Sequence, residues 1–207
     1  MKCAYERELD NRATDRTGKD FLTFFDLSTG IYLHKHLGFG KKRLERFYEE
    51  SYTELFEAME HFSGDNENDR DQMADALIGV RGRLKAVGID TKNWEDEYLK
   101  KCRRYKVYHH MGNKKLTTAR MDFVDHAWMV AVTYYTVAVK ILHDQCGFGD
   151  KRAHELYDEL RKDYDAFVQL FLMCSRTGDE AIQKVLTDYR KQIEDIGITI
   201  QVKWSED

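Results

Sequence analysis

Apolar residues recur every three or four positions along most of this chain, and one arrangement of them occurs twice. Leu44, Phe47, Tyr48, Leu55, Met59 and Phe62 form one line; Ala153, Leu156, Tyr157, Leu160, Tyr164, Val168 and Phe171 form its counterpart 109 positions on. A second line, Met73, Leu77, Val80, Leu84 and Val87, is matched one for one by Ile182, Leu186, Tyr189, Ile193 and Ile196. Spacings of three and four put such residues on one face of an α-helix.

Identities fall at the same offset without a gap. Leu33/Leu142, His34/His143, the triplet Gly38-Phe39-Gly40 and Gly147-Phe148-Gly149, Lys42/Lys151, Arg43/Arg152, Tyr48/Tyr157, Arg81/Arg190 and Gly88-Ile89/Gly197-Ile198 all recur. An apolar pattern and a set of identities in one register predict a duplicated unit, over 22–90 and 131–199. Each unit reads as three helices: about 19–36, 41–62 and 70–87, then about 119–145, 150–172 and 179–196. Gly-Phe-Gly joins the first helix to the second, and the third closes on Gly-Ile, a glycine cap followed by an apolar residue folding back on the last turn. The expected fold is all-α: two tandem three-helix units related by a pseudo-two-fold axis and packed into one bundle. The expected divisions are 1–92, a charged connector at 93–118, and 119–207. Alternating residues in "YKVYH" and "ITIQVKW" predict in addition a short β-hairpin pairing of the connector with the C-terminus.

Proline is absent from all 207 residues, where average usage of about 5% would give about ten. Long helices joined by glycine and polar turns fit that composition. The segment 127–139 is apolar nearly all round, which predicts a helix buried on several sides. It is shorter than the roughly 20 residues a bilayer crossing needs, and the first twenty residues have no apolar core of the kind a secretory signal requires. No membrane association and a cytoplasmic location are the expectations. Charged residues make up 34% with a net of −4, so no general field favours nucleic acid and any basic site has to be local. Cys3, Cys102, Cys146 and Cys174 are widely separated, which signals neither a disulfide framework nor a zinc knuckle.

The local basic features are few. Lys42-Arg43 and Lys151-Arg152 sit where helices begin, although partial positive charge there favours acids. Structurally, ion pairs to Glu45, Glu49 and Glu155 at about 0.2–0.5 kcal/mol each offset the dipole penalty. Functionally, exposed amides with Lys and Arg make a site for phosphate or for a partner's carboxylates. The stretch 100–115, with Lys100, Lys101, Arg103, Arg104 and Lys106, is the other candidate for an acidic partner or nucleic acid. His34 and His143 read as caps of a helix C-terminus. His109, His110, Asp122 and His126 could ligate a metal, but no second carboxylate-histidine motif completes a shell, and a His-Asp pair satisfying a polar position is the favoured reading. No catalytic group, metal or cofactor is expected.

The run "LHKHLGFGKKRLERFYEE" and its echo "LHDQCGFGDKRAHELYDE", with the closing Gly-Ile, resemble a family of small uncharacterised proteins encoded by phages and prophages of Gram-positive bacteria. The resemblance covers 22–90 and again 131–199. It implies a phage or mobile-element context and no assigned activity. Two units in one chain depart from the single-unit members and would replace a homodimer by a fused pseudo-dimer, so a monomer or a homodimer is expected. The function expected is a non-enzymatic, phage-derived binding protein acting on a host protein or ribonucleoprotein, for example an anti-CRISPR-like or other anti-defence inhibitor. The alternative is a nucleotide or nucleic-acid binder using the Gly-Phe-Gly-x-Lys-Arg turns and the basic stretch.

Overall fold

The computed structural model describes the backbone at 4–59, 69–91, 94, 131–173 and 178–198, and side chains within 19–55, 78–91, 94, 131–170 and 180–198. The protein is all-α. Its helices are α1 (Ala4–Leu37), α2 (Lys41–Met59), α3 (Asp69–Ala86), α4 (131–146), α5 (Asp150–Met173) and α6 (Gly178–Glu194), and no strand occurs among the described residues. The segments expected to form a hairpin, apart from Ile198, and the connector 93–118, apart from Trp94, lie outside the described residues.

Five helix starts fall where periodicity places them or lie outside description, but α1 begins at Ala4 rather than near 19. Its first turns lack an apolar stripe, which is why pattern alone misses them. They also lack any proline, and acids and bases four apart, Glu8/Arg12 and Asp15/Lys19, are the pairing that supports a polar helix.

Four glycines end helices in the left-handed region: Gly38 (φ 65°), Gly88 (84°), Gly147 (63°) and Gly197 (79°). The Ile89 N–H donates to the Leu84 carbonyl (2.9 Å) and the Gly88 N–H to that of Lys85 (3.0 Å); Ile198 reaches Ile193 (3.4 Å) and Gly197 reaches Glu194 (2.7 Å). These are the paired bonds of a Schellman cap, which leave the following residue folded onto the helix. Ile89 and Ile198 are accordingly buried. Val87, expected on the apolar stripe, is instead 49% exposed, because α3 ends at Ala86 and the helical period no longer applies beyond it.

The helices group into two compact units, one drawn from Met1–Leu44 and Leu160–Asp207, the other from Glu45–Glu159. In the first, α1 packs against α6. Phe24 stacks on Phe167 at 4.2 Å between centroids, Phe21 meets Phe167 edge-on at 5.0 Å, and Phe25 lies 5.4 Å from Tyr164. Such pairs contribute about 0.5–1.5 kcal/mol each beyond their area. At the rim of that contact, Gln183 donates to Asp20 and Lys35 to Gln192, each at 2.9 Å.

In the second unit every residue of α4 from 131 to 139 is buried, as its all-round apolar sequence predicts. The Thr136 hydroxyl is satisfied by donating to the Val132 carbonyl at 2.6 Å. Trp94 lies flat on Tyr157 (4.2 Å, 2°), whose hydroxyl donates to the Trp94 carbonyl at 3.1 Å. Polar contacts join α2 to α4: Lys140 bonds Glu54 at 2.5 Å, and Gln145 donates to Glu50, which also accepts from Arg46 at 2.9 Å.

Burial tends to raise the Glu50 pKa, but the hydrogen bonds from Arg46 and Gln145 and the charges of Arg46 and Lys140 outweigh it, holding the carboxyl below its ordinary value. A depressed carboxylate contributes stability that is present above the unfolded pKa, about 4.3, and is lost as pH falls through the folded value. Glu50→Gln should therefore be less stable than wild type at pH 7, with the difference closing as the solution is acidified; urea titrations across that range check it, and a pH-independent difference would contradict it. The caps make a second prediction: Gly147→Ala should lower stability by about 1–2 kcal/mol, whereas Gly149→Ala, two residues on, at negative φ and with open space around the added methyl, should be nearly neutral in the same assay.

Candidate functional site

Each Gly-Phe-Gly turn is built the same way. The Gly38 N–H donates to the His34 carbonyl (3.1 Å) and the Phe39 N–H to that of Leu33 (3.1 Å); the Gly147 N–H donates to His143 (2.9 Å) and the Phe148 N–H to Leu142 (3.3 Å). Positive φ at the glycine swings the phenylalanine back over the preceding helix, where Phe39 and Phe148 are buried. The histidine then closes the turn, with His34 Nδ1 2.8 Å from the Phe39 carbonyl oxygen and His143 Nδ1 2.6 Å from that of Phe148. A carbonyl only accepts, so Nδ1 carries the proton in both rings. That supports the reading of these histidines as caps, with the carbonyl belonging to the turn rather than to the helix.

The next helix starts at once, the Gly40 carbonyl accepting from the Arg43 and Leu44 N–H groups and the Gly149 carbonyl from Ala153. One turn into the helix the arginine reaches back, and the guanidinium carbon lies over the ring: Arg43 over Phe39 at 5.7 Å and Arg152 over Phe148 at 5.8 Å. A cation over an aromatic face is favourable by about 0.5–1 kcal/mol at an exposed site, which is comparable to the penalty for a cation at a helix N-terminus. The arginine therefore has a local structural partner that pattern reasoning missed, because that partner is the turn's own phenylalanine rather than a helix acid.

The lysines differ. Lys42 is exposed. Lys151 is 89% exposed with Glu155 at 3.8 Å, a surface pair worth a few tenths of a kcal/mol. On α2 an ion pair joins Arg46 to Glu50, an acid not among the Glu45 and Glu49 expected there. The helix starts differ too. The first turn of α5 contains Asp150, whose carboxylate accepts from the Asp90 N–H at 3.2 Å and lies 3.4 Å from His154 Nδ1. The equivalent position in α2 is Lys41, and that first turn has no acid.

A guanidinium beside a ring face keeps its N–H donors available to a carboxylate or phosphate. Lys42, Arg43, Lys151 and Arg152 thus have the chemistry to bind acidic groups. The remaining candidates, Lys100, Lys101, Arg103, Arg104 and Lys106, and the metal-compatible His109, His110, Asp122 and His126, lie outside the described residues. Among the described residues no group of three or more metal-capable side chains gathers, and no helix is long and apolar enough to cross a membrane.

One surface escaped the sequence reading altogether. Ile78 is 62% exposed and borders a groove of about 200 Å³ together with Arg81, Gly82, Lys85, Asp90 and Thr91. Gly79 and Gly82 lie inside α3, neither has positive φ, and a Cβ at either would meet nothing within 4 Å. Each costs a helix about 0.5–1 kcal/mol relative to alanine, and nothing in the described chain compensates. The positions 109 residues on are Thr187, Asp188 and Lys191, an ordinary polar helix face, so this kind of helix does not itself require Ile-Gly-x-x-Gly. A glycine pair inside a helical pattern was the available signal.

Comparison with protein-family models, with curated proteins and with solved structures found no match. The physical reading of the residues therefore stands alone. If the glycines answer to no internal constraint, Gly79→Ala with Gly82→Ala should raise the stability of dilute protein by about 1–2 kcal/mol. Urea unfolding measures this, and a loss of stability would show that the chain needs them.

Proposed function

We propose that the protein is a non-enzymatic binding protein of phage origin that engages an acidic surface of a host protein or ribonucleoprotein in the bacterial cytoplasm, as an inhibitor of a defence system would. The observation that carries the reading is the pinning of Arg43 and Arg152 over Phe39 and Phe148 with exposed lysines beside them. A side chain already held in place loses less rotamer freedom when a partner's carboxylate arrives, which favours recognition. The phage context rests on the resemblance of the Leu-His-x-x-x-Gly-Phe-Gly-x-Lys-Arg stretch alone.

A second reading, binding of a nucleotide or nucleic acid, draws on the Lys41-Lys42-Arg43 start of α2, which carries no first-turn acid. Phosphate contacts of this kind show strong salt dependence.

Charge reversal separates the possibilities. Lys42→Glu, Arg43→Glu, Lys151→Glu and Arg152→Glu together place acids at helix N-termini, which the fold tolerates. From host lysate the wild type should retain a stoichiometric protein partner that this variant, unchanged in circular dichroism, binds about tenfold or more weakly. A wild type that retains no partner, or a variant that retains it equally, contradicts the proposal. Salt-dependent calorimetric binding of oligonucleotides, abolished by the same variant, would instead favour the second reading.

A further inference from the structure

The two Gly-Phe-Gly turns share their backbone bonds and differ in charge. Over 35–43, from the last turn of α1 to the first of α2, Lys35, Lys41, Lys42 and Arg43 are exposed and no acid occurs; over the matching stretch 144–152 the exposed Asp144 and Asp150 offset Lys151 and Arg152. The difference comes from two positions, Lys35 against Asp144 and Lys41 against Asp150, and at both the sign reverses. Around the α5 turn the chain also supplies its own partners. The Asp150 carboxylate accepts from the Asp90 N–H, just past the α3 cap, at 3.2 Å and lies 3.4 Å from His154 Nδ1; Lys151 Nζ is 3.8 Å from Glu155, and Asp144 is 3.5 Å from Lys140. At the α2 turn Lys35 donates to the neutral side chain of Gln192 at 2.9 Å and Arg43 lies over the Phe39 ring at 5.7 Å, contacts that bring no negative charge.

We propose that the two turns have different jobs: the α2 turn receives a carboxylate-rich segment of a protein partner through Lys42 and Arg43, while Asp150 bars such a segment from the α5 turn and serves the fold there. The inference rests on the reading of the turns as sites for acidic groups and narrows it from two turns to one. Lys41 and Asp150 stand at the same place in otherwise matching turns, so that position sets the specificity. A lysine there adds to the attraction of an incoming carboxylate, and a carboxylate there repels it.

A protein segment fits the α2 turn better than a polynucleotide does. The cations here are confined to one turn, and a chain of net charge −4 repels a long polyanion beyond it. The ring within the turn, Phe39, is buried rather than open to a base.

Amide NMR of the full chain titrated with a decaglutamate peptide tests it. The amides of Lys42 and Arg43 should shift and saturate with a Kd of about 1 mM or tighter, and those of Lys151 and Arg152 should respond about tenfold more weakly or not at all. Asp150→Asn, which keeps an oxygen to accept from the Asp90 N–H, should bring the α5 turn to within about threefold of the α2 turn, with circular dichroism unchanged. Lys42→Glu with Arg43→Glu should remove the α2 response. Equal responses at both turns of the wild type overturn the inference and leave the broader reading of the turns standing, as does an α5 turn that stays silent in Asp150→Asn. Silence at both turns of the wild type overturns the two together. Decathymidylate bound at the α2 turn more tightly than decaglutamate overturns the assignment to a protein segment. A chain that behaves as described toward decaglutamate yet retains no protein from host lysate contradicts the host-partner reading alone.

Discussion

Everything in this fold turns on a glycine taking the left-handed conformation at the end of a helix. A chain with no proline and a third of its residues charged has few ways of stopping one helix and aiming the next. Positive φ stops a helix at Gly38, Gly88, Gly147 and Gly197 and at Gly38 and Gly147 also aims the next, and each time an apolar residue follows directly: Phe39, Ile89, Phe148 and Ile198. All four are buried. The backbone reversal and the hydrophobic contact are one event, because without the left-handed residue the next side chain would continue around the helix into solvent.

The same reversal accounts for the odd placement of cations. Once Phe39 and Phe148 are folded back, each offers a ring face to the arginine one turn into the following helix, and the histidine before the turn donates to the phenylalanine carbonyl. Arg43 and Arg152 are thus part of the turn while remaining exposed. The structural and functional readings of these residues do not compete, since the contact that makes the arginine tolerable at a helix N-terminus leaves its N–H donors at the surface. Lys42 and Lys151 have less structural justification than the arginines beside them.

Periodicity made the helices legible wherever an apolar stripe meets a glycine stop: the starts of α2 and α5, the span of α6, and the burial of Leu44, Phe47, Leu156 and Ile193 follow directly from it. It failed at α1, whose first turns have no stripe to read, and at Val87, one residue past the point where the period ceases to hold. It also shows which face of α1 is apolar without showing that α6 lies against it, because spacing encodes a face and not a partner. At the turns the sequence showed that the cations needed an explanation; the aromatic partner depended on a backbone reversal no periodicity displays. Ile78, Gly79 and Gly82 were visible as letters, and only the openness around them showed that no packing among the described residues requires glycine there.

The account stands or falls on the four capped turns being closed and hydrogen-bonded rather than open loops. Native-state hydrogen exchange reads this residue by residue, through the amides of Phe39, Ile89, Phe148 and Ile198, which donate to Leu33, Leu84, Leu142 and Ile193 at 3.1, 2.9, 3.3 and 3.4 Å. The account predicts that all four exchange at least about a hundredfold more slowly than an unstructured peptide, as amides opening only with the surrounding fold do. Exchange of these amides at open-loop rates would contradict it.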